Sequence, residues 1–138
     1  MTLRSAVPAV VVDASAMVEM LTGDLTWQHR FASWQDAGAL ILAPPHFRLE
    51  TTNALLRSVR LEPTDVVGRV RTMFAAGVDI ADRGLSSIFD AVELAERHGL
   101  TIDDAAYLSL VLDVDGELTT QDGALIAAAR AEGVPVIE

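Results

Sequence analysis

The amino-acid sequence predicts an α/β fold, a three-layer α/β/α sandwich with a central, mainly parallel sheet of four to five strands. Short apolar runs rich in β-branched residues, without polar alternation, indicate strands that are covered on both faces. Segments with helical spacing of apolar residues separate these runs, and strands that alternate with helices favour a parallel sheet. A chain of 138 residues has the usual length of one domain, so we expect a single domain over residues 1–138.

Five segments carry the strand pattern. The first apolar run stops at Asp13, and the second stops at the pair Pro44 and Pro45, which cannot donate to a strand ladder. The predicted strands are residues 7–12, 39–43, 78–81, 117–120 and 134–137.

Helices are predicted between these strands. Ser15 is the expected cap of the first helix, and Ser86 or Ser87 is the expected cap of the fifth. The helices cover residues 16–21, 26–36, 46–61 and 64–76, then a segment closed by Gly99, a segment that starts near Asp103, and a segment from Asp122 to Gly133.

Apolar side chains at helical spacing predict which helix faces are covered. The inner face of the fifth helix is predicted at Ile88, Val92 and Ala95. Aromatic side chains at this spacing form a core or a dimer interface more often than a surface that stacks on RNA bases, and we expect the interface here. These aromatics are Trp27, Phe31 and Trp34.

The composition excludes several kinds of chemistry. The chain has no cysteine, so a disulfide framework, a thiolate zinc site and a cysteine nucleophile are excluded. All ten basic residues are arginine, so a phosphate-loop lysine and a Schiff base are excluded as well. The net charge of −10 argues against a broad basic face for nucleic acid and suits a basic partner protein. We expect no membrane or targeting segment and a cytoplasmic location.

Acidic residues follow the predicted strands at the edge where parallel sheets place functional groups. Asp13 directly follows the first strand, and Asp122 lies two residues after the fourth. Asp104 lies in the first turn of a helix that enters from the same side, and Glu50 is early in the helix after the second strand. Because functional groups of such folds lie beyond the carboxyl ends of the strands, we expect these side chains to form one cluster.

The mutual repulsion of such a cluster requires cations or protons to relieve it. Two carboxylates about 4 Å apart repel by roughly 4 kcal/mol at an effective dielectric near 20. Oxygen ligands without histidine or thiolate favour Mg²⁺, or Mn²⁺ in its place, and one or two ions fit this number of carboxylates. These ions activate water and stabilise the leaving oxygen in phosphodiester hydrolysis without a protein nucleophile. The sequence therefore predicts both catalytic and metal-binding roles for Asp13, Glu50, Asp104 and Asp122.

Two further residues share a helix face with Glu50. Asn53 and Arg57 stand three and seven positions after it, so Asn53 is expected to orient Glu50 and Arg57 is a candidate phosphate contact. The plainer alternatives remain that a lone Asp at such a position is only a cap and that Arg57 is a solvated arginine. Asp103 and Asp104 are adjacent at a helix start, so we expect one of them to be only a cap.

The segments that carry these residues resemble a known family, the PIN-domain ribonuclease toxins of the VapC type from bacterial toxin–antitoxin modules. The resemblance covers almost the whole chain and depends on the order of the segments, because each segment alone is weak. The segments are residues 11–16 (VVDASA), 49–55 (LETTNAL), 100–110 (LTIDDAAYLSL) and 118–125 (LTTQDGAL).

The resemblance implies a PIN-like fold and a set of site residues. The family commonly has tyrosine where this chain has Asp103, so Asp103 is a competing ligand, but the match Asp-Ala-x-Tyr-Leu starts at Asp104 and favours Asp104. The metal-binding acids and the supporting hydroxyls are implied at Asp13, Glu50, Asp104, Asp122, Ser15 and Thr120.

The resemblance also implies an activity and partners. The activity is Mg²⁺-dependent cleavage of a structured RNA, often transfer or ribosomal RNA, which leaves a 5′-phosphate. The partners are a second copy of the chain, in a homodimer, and a small antitoxin that inserts a basic side chain into the acidic cluster. The net charge of −10 would favour that antitoxin.

Two other classes of protein fit part of the pattern. A non-catalytic PIN-like module would bind an ion or a partner through the same acids and cleave nothing. A receiver domain or a haloacid-dehalogenase-type phosphatase also places an aspartate after a strand, but both normally need a lysine, which this chain lacks. The phosphatase also needs a second aspartate where this chain has Ser15.

Overall fold

The computed structural model describes residues 8–138, and Val7 of the predicted first strand lies outside them. The described strands follow the predicted positions closely. They are β1 (Ala9–Val12), β2 (Leu40–Ala43), β3 (Asp79–Ile80), β4 (Glu117–Thr119) and β5 (Val136–Ile137).

The helices of the described residues lie between these strands. They are α1 (Ala14–Leu21), α2 (Leu25–Asp36), α3 (Phe47–Asn53), α4 (Pro63–Ala75), α5 (Leu85–His98), α6 (Ile102–Val114) and α7 (Gly123–Ala131). After α3 the backbone continues into one π-helical turn, Ala54–Ser58. The predicted single helix over residues 46–61 is therefore an α-helix that widens within its second half. Pro63 begins α4, where its missing N–H removes no helical hydrogen bond.

The five strands form a parallel sheet in the order β3-β2-β1-β4-β5. One group of helices packs around α1 and a second group packs around α6, so helices cover both faces of the sheet. The predicted three-layer fold with a parallel sheet is confirmed. β1 lies at the centre with Val12 paired to Thr119, which brings the carboxyl ends of β1 and β4 side by side.

The helix starts differ from the prediction at two places. Asp13, not Ser15, caps α1, since its Oδ1 accepts the Ala16 N–H at 2.9 Å. Gly84 precedes α5 without a side-chain cap, so the expected serine cap is wrong. Gly84 adopts φ 74° and ψ −156°, a backbone conformation almost confined to glycine.

The faces predicted for two helices are also wrong in part. On α5, Ala91 and Leu94 are buried and the predicted Ala95 packs partly buried against the core, whereas Ile88 and Val92 are more than half exposed. The reason is that α5 packs along α6, and only one of its two apolar faces can do so. The expected aromatic interface is mostly core, because Trp27 and Phe31 are buried and only Trp34 is partly exposed. No helix in residues 8–138 combines the length and the apolar content that crossing a membrane requires.

Candidate functional site

Asp13 is the most buried acid of the predicted cluster, with 4% of its surface exposed. It lies between β1 and α1, so the end of the strand and the start of the helix both position its carboxyl group. Its Oδ1 accepts hydrogen bonds from the Ala16 N–H and, at 2.7 Å, from the Ser15 hydroxyl. Its Oδ2 accepts the Thr120 hydroxyl in a short hydrogen bond. Asp13 is thus both a helix cap and a candidate site residue.

The predicted hydroxyl residues join Asp13 to the segment after β4. Thr120 is buried, and its Oγ1 accepts the Asp122 N–H at 3.0 Å. Ser15 Oγ accepts the Gln121 N–H at 2.9 Å. These contacts cross from β1 to β4, so they hold the two loops at the edge of the sheet together. Asp122 also caps α7, since its Oδ1 accepts the Leu125 N–H at 2.9 Å.

Glu50 reaches the same edge from α3 and is held by a residue that the sequence analysis missed. The Tyr107 hydroxyl donates to Glu50 Oε1 at 2.6 Å. Burial, followed by the negative charge of Glu50, raises the pKa of Tyr107, so the phenol keeps its proton and acts as the donor. Asn53, the expected orienting residue, is exposed, and it makes no hydrogen bond to Glu50 in residues 8–138.

Asp104 lies in the first turn of α6, half-buried beside the other acids. The cap of α6 is Thr101, whose Oγ1 accepts the Asp104 N–H at 3.1 Å, so the expectation that Asp103 or Asp104 is the cap is wrong. Asp103 is exposed and lines a neighbouring cavity with Arg83. This placement favours Asp104 over Asp103 as the site residue.

The electrostatics of the acids show that they influence one another. Burial raises the pKa of Asp13 from 3.8 to about 6, and the charge of Glu50 adds to this effect. The pKa of Asp104 is also raised, first by burial and then by the charges of Asp122 and Glu50. The structure therefore brings all four predicted acids to one edge of the sheet. There, each ionised carboxylate makes the ionisation of the next carboxyl group less favourable.

The donor set fits a hard divalent cation, although the acids do not form a finished cage. Within the described residues, no three acidic or histidine side chains are arranged as a metal-binding group. The carboxylate oxygens of Asp13 already accept three hydrogen bonds. Mg²⁺ keeps several of its water ligands and needs only one or two protein carboxylates. A group of acids that offers only oxygen ligands can therefore bind it without surrounding it completely.

The remaining predicted residue, Arg57, lies outside this network. It belongs to the π-helical turn, its side chain is exposed, and it forms no ion pair in residues 8–138. The structure places it on the surface after α3, in agreement with the plainer alternative of a solvated arginine.

A cavity of about 480 Å³ lies beside the acids, and its lining includes His46 and Asp103. It contains none of the four site carboxylates. Glu50, Asp104 and Asp122 are partly exposed, so these acids can be reached from solvent outside this cavity.

Several solved structures have this architecture. The chain is similar to PAE2754 from Pyrobaculum aerophilum, with a TM-score of 0.70, 20% identity, and coverage of 94% of this chain and 89% of that chain. It is similar to VapC20 from Mycobacterium tuberculosis, described as a sarcin–ricin loop cleaving toxin, with a TM-score of 0.66, 18% identity, and coverage of 86% and 94%. This chain shares their PIN-like fold.

The PIN-like fold also occurs in a complex. The chain is similar to VapBC2 from Rickettsia felis, solved with a DNA fragment from its promoter, with a TM-score of 0.69, 15% identity, and coverage of 94% of this chain and 97% of that chain. No protein-family model and no curated protein matches the sequence. At these identities the comparisons establish the fold.

Proposed function

We propose that this protein is the toxin of a type II toxin–antitoxin module of the VapC kind, an Mg²⁺-dependent endoribonuclease that cuts structured RNA in the cytoplasm. The observation that carries the proposal is the position of Asp13, which is buried at the carboxyl end of β1, next to the end of β4 and near Glu50. Burial first, and then the charge of Glu50, raises the pKa of Asp13 to about 6. A buried acid near other acids favours a site that a cation completes. The description of VapC20 as a toxin that cleaves the sarcin–ricin loop supports RNA as the substrate class.

Asp13, Glu50, Asp104 and Asp122 are the residues that would hold Mg²⁺, with Mn²⁺ as a substitute. The bound ion would supply an activated water and charge stabilisation for the phosphodiester. Ser15 and Thr120 keep Asp13 in place through their hydroxyls, and the backbone N–H of Asp122 ties Thr120 to the same network. The protein therefore needs no nucleophile of its own.

The acidity of the chain supports an antitoxin partner. A net charge of −10 attracts a basic protein, and a partly exposed group of acids suits an inserted arginine or lysine side chain. The similar VapBC2 structure is itself a complex. We propose that a small basic antitoxin occupies the acidic cluster of this chain and prevents RNA from reaching it.

A second copy of the chain is the partner we propose for α5. Apolar side chains between 51% and 64% exposed line one face of that helix: Leu85, Ile88, Phe89 and Val92. The charged side chains Asp90, Glu93 and Arg97 instead line a groove toward α6. The apolar face also borders the cavity of about 480 Å³. A two-fold interface brings the same patch of both copies together, so an apolar side chain of each copy can enter the cavity of the other.

The test of the proposed activity is a map of RNA ends after controlled expression of the native protein and of Asp13→Asn. New 5′-phosphate ends at defined positions, present with the native protein and absent with the variant, are expected. Asp90→Asn, which changes an exposed acid on α5, is the matched control and should cut like the native protein. Identical RNA profiles for the native protein and Asp13→Asn would favour the non-catalytic PIN-like module.

A further inference from the structure

Tyr107 occupies an unusual position for a tyrosine, because its whole side chain is buried while its hydroxyl points at an acid of the candidate site. The residue is 0% exposed and belongs to the core cluster. Its hydroxyl donates to Glu50 Oε1 at 2.6 Å. The two residues lie on α6 and α3, 57 positions apart in sequence, so this hydrogen bond joins the helices that carry Asp104 and Glu50.

The donor is rigid and the acceptor is flexible. The Tyr107 ring is buried and packs edge-on against His46, with 4.9 Å between ring centroids, so the core sets the position of its hydroxyl oxygen. Glu50 is only partly buried and has three rotatable side-chain bonds. An unrestrained glutamate samples many rotamers, and it loses that freedom when it takes up one functional position.

We infer that Tyr107 is a positioning residue, which holds Oε1 of Glu50 at the acidic cluster and leaves Oε2 for the ion or its bound water. It replaces Asn53 in the role of orienting Glu50. The part of this inference that concerns the ion rests on the proposed function. The hydrogen bond itself stabilises the charged carboxylate, as bonds that hold a metal-binding group in place commonly do.

The test is a double-mutant cycle with Tyr107→Phe and Glu50→Ala, measured as Mg²⁺ affinity by calorimetry. Tyr107→Phe keeps the buried ring and deletes only the hydroxyl. We expect it to weaken Mg²⁺ binding about tenfold or more, and to leave the affinity unchanged within about twofold when Glu50 is already alanine. An equal loss in both backgrounds would mean that Tyr107 acts through general packing, and this would overturn the inference.

Ser109→Ala is the matched control, because Ser109 is a buried hydroxyl residue of the same helix. Its Oγ accepts a hydrogen bond from Arg83 at 2.8 Å and not from the acidic cluster. The control should leave Mg²⁺ affinity unchanged. An equal loss in Ser109→Ala would show that any deleted hydroxyl in α6 disturbs the site, which would also overturn the inference.

The same cycle measured by chemical unfolding in EDTA separates this inference from the proposed function. We expect Tyr107 and Glu50 to be coupled by about tenfold in the unfolding equilibrium, as for a hydrogen bond to a charged group. If the native protein binds no Mg²⁺ and cuts no RNA, the proposed function fails. The coupling still tests whether the hydroxyl of Tyr107 holds Glu50. Absence of coupling overturns the inference, even if Mg²⁺ binding and RNA cleavage are intact.

Discussion

Replacing Asp13 by asparagine should make the ion-free protein more stable at pH 7 while it abolishes RNA cleavage. Asp13 is 4% exposed, and the pKa of its carboxyl rises from 3.8 to about 6 on folding. A group with a raised acid pKa binds its proton more tightly in the folded state. Its ionisation therefore destabilises the fold, beginning as the pH rises through 3.8 and reaching the full effect above about 6.

The magnitude follows from the two pKa values of Asp13. The difference between 3.8 and about 6 corresponds to about 3 kcal/mol at pH 7, at about 1.4 kcal/mol per pKa unit. Asparagine removes this penalty, and its side-chain oxygen can still accept from the Ala16 N–H. It presents an amide nitrogen to Thr120, and the lost acceptor costs about 1 kcal/mol. The expected net gain is about 2 kcal/mol at pH 7.

Urea denaturation in EDTA at pH 7 and pH 5 measures this effect as the difference in the free energy of unfolding between Asp13→Asn and the native protein. At pH 5 the ionisation penalty of Asp13 should fall to about half of its value at pH 7. The control Asp90→Asn removes the same formal charge from an exposed site and should change stability by less than about 0.5 kcal/mol. A variant less stable than the native protein at pH 7, or an advantage that does not shrink at pH 5, would refute the reasoning.

Three other measurements test separate parts of the structure. Mg²⁺ or Mn²⁺ at a hundredfold excess over its Kd should stabilise the native protein by about 2.7 kcal/mol, seen as a higher Tm that EDTA reverses, and Asp13→Asn should show no such rise. Gly116→Ala should destabilise the protein by about 1–3 kcal/mol, because a Cβ there would lie 2.6 Å from the Ala9 carbonyl oxygen. Gly68 has open space around it, so Gly68→Ala should instead stabilise α4 by about 0.5–1 kcal/mol. Equal effects at both glycines would contradict the close approach of Gly116 to the Ala9 carbonyl oxygen. Phe89→Asp should convert a dimer into a folded monomer in light-scattering measurements at matched concentration, whereas a native protein that is already monomeric would exclude the proposed α5 interface.

Local patterns predicted the strands and helices because they depend on short-range chemistry. The short, β-branched apolar run before Asp13 indicates a covered strand. Pro63 and Gly99 mark a helix start and a helix end through their backbone preferences. Parallel pairing then followed from the alternation of strands and helices. This is why the fold class and the approximate element bounds could be predicted from the sequence.

Local patterns failed where two residues competed for one role. Asp13 and Ser15 are both good caps, and the end of β1 decided that Asp13 is the cap. On α5, an apolar stripe with Ile88 and Val92 competes with one through Ala91 and Leu94, and packing on α6 decided which is buried. Helical periodicity locates apolar faces but does not say which neighbour covers them.

The sequence by itself determined the kinds of side chain at the site, acids and hydroxyls after strands and at helix starts, and hence an oxygen-only donor set. Tertiary structure alone decided how they meet. The pairing of β1 with β4 joins Asp13 to Thr120, and the packing of α6 near α3 brings Tyr107 to Glu50. The physical reason is that capping and strand formation act over a few residues, whereas a hydrogen bond across 57 positions exists only after the sheet and its helix layers have assembled.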